Sequence, residues 1–474
     1  MLLAAGFLVS PVWSEEPAAA APPAATAPAA PVAPAPPTPA APAAVPAEIV
    51  RRLQSLYDAG SDTEAIQAGE AWLKDHPADV DVRLAVVRSI IRKAVPLRAA
   101  GNGMLQVAYN HLQAALVASP ARQDVRVAIC DVLFHLERHE VLLEEVASLL
   151  KDALDAPSRD VAFEAVSFYA EEYSRAGRPD RGAELYGVIC GVLKDSPEAA
   201  LNHGTLLLLS GRIDEGIAEF QRSAKLDSSS PEAPHSIGQA CVYKGDFAKA
   251  EEWLGKTVAL EPGSGRFILD LAVVKSLTHP AEAPALFEKA SGILGEIAAQ
   301  KILVENLRVT LTSRAMTRED WLRLVSDLQH TGYPIYALVA AEKALRADPA
   351  QPEIVLTRAD IYDQGRFWKA ALEQYRLGSE LARNSPAAAQ PGYQDWSVAG
   401  MARALTRTGD PSRAIEMLRT AGGEQRFPFE MADALWRSGK AQAAMDILER
   451  LATSGDEDRS RAARQKMQDI STGR

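Results

Sequence analysis

The chain has 474 residues, enough for two or three globular domains or one long repeat array. Its 47% hydrophobic and 24% charged content excludes a wholly disordered polypeptide, since that much apolar surface buries a core. A net charge of −11 excludes a general nucleic-acid binder, which presents a basic face. The charge is uneven, because residues 396–474 carry 13 basic and 11 acidic side chains while the rest of the chain carries 38 and 51.

Residues 1–14 hold an apolar run from Leu2 to Val12, with Val12 and Ser14 at the spacing of a signal-peptidase site, and read as an incomplete signal peptide cleaved after Ser14. No lysine or arginine precedes Arg51, so the basic leader is missing, and the run is shorter than the roughly 20 apolar residues that span a bilayer. Export to the periplasm or beyond is the expectation; a cytoplasmic protein with an accidental apolar N-terminus is the alternative. Residues 15–47 read as a Pro/Ala-rich disordered linker, with 16 alanines and 11 prolines between positions 17 and 47. Extended as polyproline II, that tract reaches about 100 Å at about 3.1 Å per residue, which suits a tether to a membrane or cell wall.

Residues 48–455 carry a repeating pattern. The stretch "GQACVYKGDFAKAEEWLGKTVALEP", residues 238–262, laid back by 34 residues, places Gly238 on Gly204, Ala250 on Gly216 and Leu254 on Phe220. Trp321, Leu324, Leu328, Gly332, Ala337, Ala341, Ala344 and Pro349 follow the same frame, as do Ala359, Tyr362, Ala371, Tyr375 and Gly378. Small residues (Gly204, Gly238, Ala359) let one helix cross its partner closely, and Ala250, Ala337 and Ala371 face them. Tyr173 with Tyr186, and Tyr362 with Tyr375, fill the gaps beside the crossing. Gly177, Gly211, Gly245, Gly332 and Gly439 fall in the turns, while Pro77, Pro120, Pro262 and Pro349 stop the second helices.

A 34-residue period of paired helices resembles the tetratricopeptide repeat, and the resemblance covers roughly residues 48–453. It implies an all-α fold, a right-handed α-solenoid of helix-turn-helix units, about ten to eleven in number. Their crossing positions fall near Leu53, Val86, Ile129, Ala170, Gly204, Gly238, Ala272, Val325, Ala359, Ala402 and Ala432. The frame is irregular near 94–104, where "AVPLRAAGNG" adds residues, and near 291–316. Residues 456–474 read as a charged capping helix and tail over the last apolar face.

Signatures of catalysis are missing. "HLERHE" at 135–140 places His135 and His139 at i, i+4 but has Leu136 where a zinc peptidase needs glutamate, so it reads as a solvated helix end or turn. "GNG" at 101–103 and "GSG" at 263–265 lack the remainder of a phosphate cradle. Cys130, Cys190 and Cys241 lie far apart without a CxxC pair and read as small buried hydrophobes. No catalytic residue, metal ligand or cofactor is assigned.

The tetratricopeptide resemblance implies that first helices line a concave groove for a protein or peptide partner. Carried onto the last two units, it assigns Trp396, Arg403, Arg407, Arg426, Phe429, Trp436 and Arg437 to that face, together with Asp433. Aromatic and arginine side chains are the composition of binding hot spots, suited to an acidic or aromatic peptide. Upstream, Glu319, Glu353, Asp360 and Asp363 fall on the same face and make an acidic stretch. Of the family's carboxylate clamp, Asn202 alone resembles a part. The expected function is an interaction scaffold in a bacterial envelope assembly or secretion system, with a cytoplasmic adaptor or a carbohydrate-binding component of polysaccharide export as alternatives.

Overall fold

The computed structural model describes residues 45–471 apart from 153–155, 177, 296–297, 314–315, 385 and 387–389. The expected signal peptide, all but the last residues of the expected linker, and Gly177 lie outside the described residues. The described chain is helical, and its contacts divide it into two compact units with the boundary between Tyr169 and Ala170.

In the first unit, α1 (Val45–Asp58) pairs with α2 (Asp62–Asp75), α3 (Val80–Ala94) with α4 (Asn102–Ala118), and α5 (Gln123–His135) with α6 (His139–Asp152). The first part of α7 (Ala156–Arg175) completes it. Local chemistry sets the ends: the Asp79 carboxylate accepts from the Val82 amide at 3.2 Å and caps α3. The added residues between α3 and α4 form a 3-10 helix, Val95–Gly101. Leu53, Val86 and Ile129, the expected crossing positions, are all buried. Arg92 spans back to Asp62 at 2.8 Å and lies 3.6 Å over the Tyr57 ring, pinning the end of α3 to the α1–α2 turn.

The second unit begins inside α7 and continues with α8 (Pro179–Val192). The hairpins α9 (Pro197–Leu209) with α10 (Ile213–Leu226), α11 (Glu232–Tyr243) with α12 (Phe247–Leu260), and α13 (Gly265–Thr278) with α14 (Ala283–Leu294) follow. A lone helix, α15 (Ala298–Thr312), interrupts the alternation. Then come α16 (Arg318–His330) with α17 (Pro334–Ala347), α18 (Pro352–Gln364) with α19 (Trp368–Ala382), and α20 (Gln390–Arg407) with α21 (Pro411–Thr420). The one-turn α22 (Gly423–Arg426) precedes α23 (Pro428–Arg437) with α24 (Ala441–Ala452), and α25 (Glu457–Ser471) packs on α24, burying Ala463.

Close crossing explains the periodic small residues. A methyl group placed on Gly238 would lie 2.7 Å from Leu254 Cγ, so α11 and α12 reach their separation only with glycine there. Ala170, Ala272, Val325, Ala359, Ala402 and Ala432 occupy the equivalent places and are buried. The stretch at 291–316 that fits the repeat poorly is where α15 lies, whose Val304, Leu307 and Leu311 are fully buried and which packs back on α14 and α13 as a third helix.

The turns also follow one rule. Gly211, Gly245, Gly332 and Gly439 hold positive φ, and in the α18–α19 turn the same place is taken by Arg366 at φ 65°. Gly211 has a second duty, since a methyl there would sit 2.7 Å from the Arg366 carbonyl oxygen. The Tyr243 ring lies 4.4 Å from that of Phe367, so within this unit the α18–α19 turn rests on the α9–α10 turn and the end of α11.

A buried polar network ties α11, α13 and α17 together. Asp270 accepts from His235 Nε2 at 2.7 Å and from the Tyr336 hydroxyl at 2.6 Å, and all three side chains are nearly inaccessible to solvent. Burial foremost, then the Asp270 charge, holds the Tyr336 phenol well above its ordinary range, so it stays a donor.

Candidate partner-binding cleft

The residues assigned to the groove fall into two groups. Trp396 and Arg403, both on α20, turn toward α18 and are engaged there. Trp396 Nε1 donates to Asp360 at 2.9 Å, while Arg403 donates to Asp363 at 3.0 Å, to the Tyr375 hydroxyl at 3.2 Å and to Glu430 at 3.5 Å. The Tyr375 hydroxyl also donates to Asp360. Burial raises the Asp360 carboxyl above its usual value, against the opposing pull of Tyr375, Arg403 and Trp396. Burial also works against the Arg403 charge, but Tyr375 and Asp363 outweigh it and hold the guanidinium above its ordinary value. Asp360 and Asp363 of α18 therefore meet Arg403 of α20 inside one inter-repeat network instead of standing apart from it on the groove face. Glu353 is likewise engaged by Arg318, whereas Glu319 is exposed.

Arg407, Phe429, Trp436 and Arg437 line open space. A cavity of about 910 Å³ has Arg407, Trp436 and Arg437 in its wall, with Arg178, Arg366, Trp368 and Lys466. Asp180, Asp433 and Asp469 are its acidic members, so cations exceed acids on this wall of a net-acidic chain. A second cavity of about 340 Å³ shares Arg366, Trp368, Arg407, Asp433 and Lys466 and adds Phe429. Burial, and then the neighbouring Arg407 charge, push the Arg366 and Arg437 guanidinium groups below their ordinary value. Asp433 answers two cations at a distance, Arg437 at 3.7 Å and Lys466 at 3.5 Å. Among the described residues Arg407 has no hydrogen-bond or ion-pair partner. Arg426 lies apart in a surface pair with Asp395 at 2.7 Å.

No family model matches the chain, and no curated protein matches it. Among solved structures it is similar to yeast Tom70, with 13% identity over 91% of this chain and 96% of that one and a TM-score of 0.29. It is similar also to the TPR domain of P58(IPK), with 13% identity over 80% of this chain and 99% of that one and a TM-score of 0.23. A third, YrrB, described as a TPR protein with an unusual peptide-binding site, shares 18% identity over 42% of this chain and 93% of itself, with a TM-score of 0.23. In the chain itself, successive helices pair in sequence, small residues sit buried at the crossings 34 positions apart, and left-handed residues close the turns. The repeats are of the tetratricopeptide type.

This tetratricopeptide array departs from the groove frame in instructive ways. Arg178, Arg366, Trp368 and Lys466 were missed because they come from turns, from the start of the second helix α19 and from α25, not from first-helix positions, and only the return of the chain upon itself collects them. The carboxylate-clamp candidate Asn202 is buried, with its amide donating to the Tyr186 hydroxyl at 3.1 Å, so it cannot reach a partner's terminus. His135 ends α5 and His139 begins α6, placing "HLERHE" in a turn. Cys130 and Cys241 are buried thiols as expected, while Cys190 is half-exposed. No helix among the described residues is long and apolar enough to cross a membrane.

Proposed function

We propose that this tetratricopeptide array is a protein interaction scaffold that receives an acidic, aromatic-containing segment of a partner in the cleft walled by Arg407, Trp436 and Arg437. The observation that carries the reading is the cationic excess: five cations against three carboxylates on the wall of one cavity, on a chain of net charge −11. Such crowding raises the energy of the empty cleft and is relieved by an anion. Trp436, at 37% exposure, offers a rigid apolar face beside the charges. Trp396 serves this site by holding α20 against α18, and Arg403, tied to Asp363, borders the smaller cavity.

Fluorescence anisotropy with a labelled peptide alternating glutamate and phenylalanine tests the reading. Binding is expected for that peptide, weakening with salt, and not for a version with lysine in place of glutamate; replacing Arg407 and Arg437 together by alanine removes it. Equal binding of both peptides, or binding indifferent to the double substitution, overturns the proposal. The finer placement, in an envelope assembly or secretion system, is supported by the apolar run at 1–14 and the Pro/Ala tract behind it. Fractionation of cells carrying the full chain tests that placement, and a wholly cytosolic pool rejects it.

A further inference from the structure

Three side chains with different donor atoms converge away from the cleft walls. Cys190 of α8, His203 of α9 and Glu219 of α10 place a sulfur, a nitrogen and an oxygen within 4.8 Å of one another. All three residues are partly exposed, although the His203 Nδ1 atom itself is buried. His203 Nδ1 is buried without a hydrogen-bond partner, and the Glu219 carboxylate stands 3.6 Å from it, too far to bond and too near to ignore. Two ligands of a tetrahedral zinc ion, each about 2.0–2.2 Å from the metal, stand roughly 3.3–3.6 Å apart. That separation fits two ligands of one ion, with Glu219 Oε2, which already accepts from Arg222, shared between the guanidinium and the ion or giving way to Oε1.

We infer that Cys190, His203 and Glu219 form a binding site for a divalent transition ion of the zinc type, with its fourth position open to water. Mixed thiolate, imidazole and carboxylate donors select such ions over magnesium or calcium, which take oxygen alone. On binding, the Cys190 thiol gives its proton to solvent as the sulfur–metal bond forms; His203 binds through a neutral nitrogen, and nothing is oxidised or reduced. Arg222 donates twice to Glu219 Oε2, at 2.9 and 2.7 Å, and also engages Cys190, so its guanidinium adjoins two of the three ligands. Its positive charge opposes the ion and sets an upper bound on affinity. Because the ligands come from α8, α9 and α10, the ion would staple three successive helices.

Cobalt(II) titration of the full chain, with a non-thiol reductant present, is the test. One equivalent is expected to bind with a thiolate-to-cobalt charge-transfer band, displaced by zinc. Cys190→Ser abolishes the band while Cys130→Ser leaves it, and His203→Gln weakens binding by more than the roughly 10- to 100-fold that loss of an outer supporting partner costs. In the unaltered chain, zinc is expected to protect Cys190 from alkylation, read by mass spectrometry, which keeps the test independent of variant folding. Absence of the band, its persistence in Cys190→Ser, or alkylation of Cys190 indifferent to zinc overturns the inference.

Discussion

Two polar clusters of the second unit invite comparison. Around Asp270 the carboxylate is met by His235 and Tyr336 at hydrogen-bond distance, and the three side chains are nearly inaccessible although Asp270 and Tyr336 edge a cavity of about 370 Å³. Arg407 has no ion-pair or hydrogen-bond partner among the described residues and faces a cavity, beside Arg437 and Lys466, which share Asp433 at 3.7 and 3.5 Å. A buried group left unmatched costs more than its pairing contributes, so the first cluster is completed internally. An unmatched charge is tolerable only where water or a ligand can reach it, which marks the second as a place for something else. Polarity alone does not locate a binding site; incompleteness does.

The sharpest contrast comes from removing the centre of each cluster. Asp270→Ala should destabilise the second unit by about 3–5 kcal/mol, because His235 and Tyr336 lose their shared acceptor in a buried place. A loss under about 1 kcal/mol in urea unfolding would mean the network does not hold α11, α13 and α17. Packing around the same helices is next: Gly238→Trp overfills the α11–α12 crossing and should cost about 1–3 kcal/mol or more. Unchanged thermal unfolding and proteolysis would place the repeat register elsewhere.

In the cleft, the joint Arg407→Ala and Arg437→Ala change should leave stability within about 0.5 kcal/mol while removing binding of the acidic peptide. A large loss of stability would transfer those arginines to the structural group with Arg403.

The smallest effect extends the comparison to a half-solvated pair in the first unit, His135 with Asp131 at 3.5 Å. Burial lowers the His135 imidazole below its ordinary value, with Asp131 opposing. Below about pH 6.5 the unfolded chain takes up a proton that the folded chain refuses until lower pH, so this contribution falls as the solution is acidified. His135→Gln should flatten that slope in urea titrations above and below about pH 6.5.

Much of the architecture was legible because it is local. Gly204, Gly238 and Ala359 announce crossings by spacing, and Gly211, Gly245, Gly332 and Gly439 announce turns through a backbone requirement within a few residues. What depends on distant pairing was not legible. Arg403 looks like a groove cation until Asp360 and Asp363 from the preceding hairpin claim it. Lys466 and Arg178 share a cavity only after the turns between them are stacked, and no periodicity reports that. α15 was visible only as a poor fit, because a third helix added to a pair falls outside the two-helix period.

The approach of the Arg366 carbonyl to Gly211, with Tyr243 against Phe367, has a mechanical consequence. A repeat array touching only its nearest neighbours behaves as a spring, lengthening by small rotations at every joint. Here a clasp joins coils that are remote in sequence, and an arginine in a left-handed conformation forms half of it. Pulling on the ends of this unit therefore loads the clasp before it lengthens the coil, so the unit should resist stretching stiffly and then yield in one step.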